Sequence, residues 1–252
     1  MYDNFLFDRS DEIATITLNR PEKRNPINES MLEEFEDIVR ILRDDGTTRT
    51  VIVTGTGNTF CAGADLSIVK NITEPAEQKR IFARARSRRI RLISRTFGML
   101  ENLEQLTIAA VNGFAVGGGW GLALACDFHF SIPGAQYWFP EVDLGVPLSM
   151  GSTARLYSSI GAVRAKEVIL TCNRYKAEEL ERWGMINRIF EEKELTNESV
   201  KFAKFLLDKP ARAATGSKLN VNALSQVLAR EMSSFDPDTF IHAQEKEDSK
   251  IG

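Results

Sequence analysis

Residues 107–145 read TIAAVNGFAVGGGWGLALACDFHFSIPGAQYWFPEVDLG, and this stretch decides how the chain is read. An apolar strand, Ile108 to Val111, leads to three consecutive glycines, Gly117, Gly118 and Gly119. The pattern predicts a small-residue apolar helix from Trp120 to about Cys126, then a strand over Asp127 to Ile132. Further on stands a carboxylate in apolar company, Glu141, behind Trp138, Phe139 and Pro140. A strand, a glycine turn, a helix start and a desolvated acid are parts from which an oxyanion site with a base can be built.

Towards the N-terminus the pattern is strand, helix, strand. Glu12 to Asn19 alternates and is β-rich. A loop broken by two prolines, RPEKRNPIN, ends at Asn28, a helix N-cap by type. Met31, Leu32, Phe35, Ile38, Val39 and Leu42 then form an apolar stripe at helical spacing, opposite an acidic face of Glu33, Glu34, Glu36 and Asp37. Thr50 to Thr54 is a short, continuously apolar strand, as expected where both faces of a parallel sheet are covered. Gly55 to Asp65 is a second glycine-bearing loop after a strand, where ligand loops of α/β proteins lie. Leu66 to Gln78, with Pro75, reads as a flap, and Lys79 to Leu103 as a long arginine-rich helix whose charges mark a solvated or subunit-contact face.

Beyond Gly145 the chain reads as mostly helical: Gly151 to Ser159, Val163 to Leu170, Ala177 to Trp183, Lys193 to Leu207, Ala211 to Met232 and Asp236 onward, with a short strand at Met185 to Phe190. The shift near residue 190 divides the chain into a mixed core, 1–190, and a helical region, 191–252.

Composition excludes several classes. At 252 residues, 43% hydrophobic and 27% charged, the chain is an ordinary globule, and a net charge of -3 argues against nucleic acid or an anionic membrane surface. No apolar run approaches the ~20 residues of a membrane span, and the N-terminus has no secretory-signal pattern. Cys61, Cys126 and Cys172 are scattered and read as reduced thiols of a cytoplasmic protein. With only His129 and His242, a multi-histidine metal site is not expected; His129, between Phe128 and Phe130, reads as a core or interface residue.

The motifs ITLNRPEKRNPIN, TFCAGADL, AAVNGFAVGGGWGLALACD, Phe-Pro-Glu-Val and GMINRIF, in this order, resemble the crotonase (enoyl-CoA hydratase/isomerase) superfamily over nearly the whole chain. The resemblance implies an α/β spiral of ββα repeats with a C-terminal helical region for trimerisation, a homotrimer or a hexamer of two trimers, and an acyl-CoA substrate, with coenzyme A as part of that substrate and no separate cofactor. It implies an oxyanion hole made by the backbone N–H groups of Ala64 and Gly118. Glu141 matches one of the family's two catalytic glutamates. The other is expected at position 121, where this chain has Gly121, preceded by the bulky Trp120. Asp143 is the competing carboxylate in the Glu141 segment.

One glutamate with an oxyanion hole suits a proton shuttle that moves a double bond. The alternatives are a hydratase or hydratase-lyase using Glu141 with a non-standard second group, a decarboxylase, and a non-catalytic CoA- or RNA-binding homologue. The hydratase-lyases add a C-terminal tyrosine, and no tyrosine follows Tyr175 here. For the ligand, the resemblance points to Arg24 near the CoA phosphates and to Ala62, Gly63 and Asp65 along the adenine end, with Asp65 holding its loop. Gly117, Trp120, Gly121 and Trp138 are expected around the acyl group. The chain stops at Gly252, where family members usually continue for a further turn or two of helix.

Overall fold

The middle turns of the chain each supply one strand to each of two sheets and then a helix, whereas the first turn gives both of its strands to one sheet. The computed structural model describes residues 2–65 and 90–233, with side chains to 225. In chain order the elements are β1 (Phe5–Ser10), β2 (Ile13–Leu18), α1 (Glu29–Asp44), β3 (Thr50–Gly55), β4 (Thr59–Cys61) and α2 (90–101), then β5 (Leu106–Val111), β6 (Phe114–Val116) and α3 (Gly118–Leu124). There follow β7 (Phe128–Ser131), β8 (Gln136–Trp138), α4 (Ser152–Thr171), β9 (Tyr175–Lys176), α5 (Ala177–Arg182), β10 (Arg188–Ile189), α6 (Leu195–Leu207) and α7 (Ala211–Ser233). The large sheet runs β1-β2-β3-β5-β7-β10 and the small one β4-β6-β8-β9. This is the α/β spiral of ββα turns, and the flap at Leu66–Gln78, most of the arginine run and the helix from Asp236 lie outside the described residues.

The elements form for local reasons visible in the side chains. Asn28 caps α1, its side chain accepting from the Met31 N–H at 2.8 Å, and all six residues of the apolar stripe are buried. The central strands carry apolar residues on both faces because both faces of the large sheet are covered. Val51, Val53, Ala109 and Val111 face the main core, whereas Ile52, Ile108, Ala110 and Phe130 face Leu195, Ala203 and Leu206 of α6. Each fully buried Val, Leu or Ile among them contributes about 1.5–3 kcal/mol. The α4 region contains a break at Gly161, which explains why it reads as two helical segments.

The structure departs from the sequence reading in three places. Phe5–Ser10, to which the sequence reading assigns no element, is an antiparallel edge strand beside β2. The small sheet is built from strands of two or three residues, too short to show an alternating pattern. The helix of the glycine stretch begins at Gly118, two residues before Trp120. Among the described residues no helix is long and apolar enough to cross a membrane.

Candidate active site

The two glycine loops meet because β4 and β6 are parallel neighbours and the loops leave their ends together. Gly63, at φ +85°, sits so close to the second loop that a Cβ there would stand 2.7 Å from the Val116 carbonyl oxygen and 3.7 Å from the Gly118 nitrogen. Only glycine tolerates both this dihedral and this approach. Ala64 forms a bridge with Ile27 in which the Ile27 N–H donates to the Gly63 carbonyl and the Asp65 N–H to the Ile27 carbonyl. That pattern leaves the Ala64 N–H directed away from the bridge, on an exposed residue. Gly118 opens α3, so its N–H has no intrahelical acceptor. The two expected oxyanion donors therefore lie on adjoining loops, and neither N–H has a backbone partner among the described residues.

Around these loops the chain is tied down. The Asn25 amide, fully buried, donates to the carbonyls of Thr56 and Thr59 and accepts from the Arg20 N–H. Arg20 pairs with Asp65 at 3.2 Å, so Asp65 holds the CAGAD loop to the preceding one. The Arg24 carbonyl accepts from the Ala62 N–H while its side chain is exposed.

Glu141 lies on the turn that follows β8, with the N–H groups of Leu144 and Val146 donating to its carbonyl. Its carboxylate reaches back to the α3 cap: Oε1 is 2.8 Å from where a Cβ on Gly117 would be. Gly117 adopts φ +50° there, and its N–H donates to the Trp138 carbonyl, which fixes the turn against β8. Burial pushes the Glu141 carboxyl up to about 7, against the opposing hydrogen bond from its own backbone N–H. Its Oε2 is buried without a partner among the described residues. A carboxyl titrating near neutrality can both take and return a proton at physiological pH. Asp143, by contrast, is exposed on the same turn.

The aromatic neighbours are arranged differently from the expected wall. Trp120 is buried, stacked on Phe139 at 4.5 Å and tilted against Tyr137. Its indole belongs to the core that supports the Glu141 turn rather than to an open surface around an acyl group. Trp138 turns the other way, edge-on to Phe114 with the Arg174 guanidinium 4.5 Å above its ring. Trp138, at the end of β8, and Phe139, just beyond it, thus pack in opposite directions.

At position 121 there is no acid, and the space is occupied. A Cβ on Gly121 would stand 2.5 Å from Ser152 Oγ and 3.5 Å from the Phe97 ring. Ser152 is fully buried, as is the Phe97 ring, which is only 1% exposed. Asn25 ties the loops together and Ser152, the first residue of α4, fills the space beside Gly121, yet neither stands out in the sequence. His129 is structural, with ring nitrogens 2.8 Å from the Met185 and 3.2 Å from the Cys126 carbonyl oxygens, and burial lowers its pKa. Burial pushes the Cys61 and Cys126 thiols up to about 12, so neither is a nucleophile near neutral pH.

Residues 8–252 match the family described as enoyl-CoA hydratase/isomerase. The chain is 33% identical over its full length to the crotonyl-CoA hydratase of Syntrophomonas wolfei, covering 94% of that protein. It is 32% identical to the short-chain-enoyl-CoA hydratase of Clostridium acetobutylicum over 98% of this chain and 92% of the relative. Among solved structures, the enoyl-CoA hydratase of Bacillus anthracis superposes with a TM-score of 0.79 at 31% identity, over 95% of this chain and 92% of that one.

Proposed function

The chain belongs to the enoyl-CoA hydratase/isomerase family, and from that premise we propose that it moves a carbon–carbon double bond along an acyl-CoA thioester, with Glu141 as its acid–base group. The thioester oxygen accepts hydrogen bonds from the Ala64 and Gly118 N–H groups. Glu141 takes a proton from the carbon next to the thioester of a 3-enoyl-CoA, and the electron pair delocalises onto the thioester oxygen. Two fixed amide donors stabilise that charge without reorganising, an effect worth roughly 2.7–4 kcal/mol of barrier per donor. Glu141 then returns the proton at the far end of the conjugated system, leaving the 2-enoyl-CoA with no net change in composition.

One observation carries this reading: a single buried carboxyl, raised to about 7, stands at the α3 cap, while position 121 offers no second acid. The exposed Arg24 guanidinium is available to the CoA phosphates beside the Ala62–Asp65 loop. A trimer or dimer of trimers fits the exposed Val163, Leu170, Val221 and Leu224 on the neighbouring helices α4 and α7.

Hydration of a 2-enoyl-CoA is the second reading, favoured by the names of the two relatives. Incubation with 2-enoyl- and 3-enoyl-CoAs, followed by mass and ultraviolet absorbance, separates the two. Isomerisation leaves the mass unchanged while conjugated absorbance grows, and hydration adds one water. Binding of acyl-CoA with neither change would sink both.

A further inference from the structure

Ser152 opens α4, is fully buried, and its hydroxyl has no partner among the described residues. A buried serine within a helix can settle its hydroxyl on the carbonyl four residues back, as Ser199 does on Leu195. Ser152 does not; the carbonyl four residues before it, that of Leu148, accepts from Thr153 instead. Nor does the serine cap its helix, because the cap is Gly151 and no side-chain cap bond is present.

The direction of the hydroxyl is set by its neighbours. It lies 2.5 Å from the Cβ position of Gly121, and Glu141 Oε1 lies 2.8 Å from that of Gly117. The Gly121 N–H donates to the Gly117 carbonyl, so the two glycines bracket the first turn of α3. The acid and the serine thus approach the same turn of α3. Glu141 Oε2 and Ser152 Oγ are both buried and both unpartnered. A buried hydroxyl without a partner carries a desolvation cost that a hydrogen bond to a ligand oxygen would offset.

We propose that Ser152 is a second polar group of the Glu141 site, which positions the hydroxyl oxygen of a bound ligand. That oxygen is either a water added to the alkene or a hydroxyl carried on the acyl chain. This inference rests on the reading of Glu141 as the acid–base group. With water, Glu141 takes its proton as the oxygen bonds to C3. The C2–C3 π electrons pass to the thioester oxygen, and Glu141 delivers the proton to C2 as the enolate collapses. Ser152 only orients the water; a neutral hydroxyl accomplishes this without placing a second charge beside Glu141.

The test compares wild type with Ser152→Ala and Ser152→Gly. Its readouts are melting temperature, kcat and KM for 2-enoyl- and 3-enoyl-CoAs, and affinity for 3-hydroxybutyryl-CoA against butyryl-CoA. Removing an unpartnered hydroxyl should leave the melting temperature unchanged or raise it, whereas removing a ligand contact should lower a rate or an affinity about 10- to 100-fold. A loss confined to kcat for water addition supports the proposal with water as the oxygen. A loss confined to 3-hydroxybutyryl-CoA affinity, with butyryl-CoA unaffected, supports it with the acyl hydroxyl. Rates and affinities within twofold of wild type in both variants overturn it. Glu141→Gln is assayed alongside: full turnover in that variant overturns the acid–base reading and this inference with it, whereas lost turnover there with both Ser152 variants unchanged overturns the inference alone.

Discussion

Glu141→Gln should make the protein more resistant to unfolding at alkaline pH than at acidic pH, relative to wild type. The unfolded carboxyl titrates near 4.5 and the folded one near 7, because burial disfavours its charge. A folded value raised in this way leaves stability intact below the unfolded value and removes it as pH rises through the folded one. The interval, at about 1.4 kcal/mol per pH unit, amounts to roughly 3 kcal/mol once both states have ionised. Between pH 5 and pH 8 the difference between wild type and variant should shift by roughly 2.5 kcal/mol in favour of glutamine. The amide brings its own cost, since it adds a donor to a site that already leaves Oε2 without a partner, but that cost does not vary with pH. The quantity to measure is therefore the change in the difference with pH, from urea unfolding of both proteins at one fixed concentration. A difference that stays constant from pH 5 to pH 8 would refute the argument that desolvation raises this carboxyl.

Turnover should depend on the same group. For a base that must be ionised in the free enzyme, kcat/KM should rise with pH along a limb of apparent pKa near 7 and level off above it; Glu141→Gln should abolish the limb with the rate, and a limb near 4.5 would disagree with the structure. Gly63→Ala forces a Cβ to 2.7 Å from the Val116 carbonyl oxygen at φ +85°, so it should separate the oxyanion loops and lower kcat by roughly 10²-fold, read by steady-state kinetics alongside circular dichroism. Gly121→Glu alone should lower the melting temperature, since its Cβ meets Ser152 Oγ at 2.5 Å. Gly121→Glu with Ser152→Gly should recover that loss, and an equal loss in the single and double variants would show that Ser152 is not what fills the space.

Much of the frame was legible because its signals are periodic or local. The α1 stripe and its Asn28 cap, the doubly covered strand at Thr50 and the paired glycine loops each follow from spacing that one element imposes on its own residues. The small sheet was not legible, since strands of two or three residues carry no period. The placement of Trp120 and Trp138 was not legible either. Alternation along β8 assigns residues to two faces, but it does not say that Tyr137 and Phe139 take Trp120 as their partner while Trp138 takes Phe114 and Arg174.

By itself the sequence determined the family through the order and spacing of its motifs, and determined that position 121 bears no side chain. Both are properties of residue identity along the chain. Tertiary structure decided that α3 begins at Gly118, that its first N–H adjoins the Ala64 loop, and that a serine from the start of α4 occupies the space beside Gly121. The reason is that a pattern reports which face of an element is buried, whereas what stands against that face depends on elements distant in the chain. Whether Ser152 has a partner could be known only once every neighbouring donor and acceptor had a position.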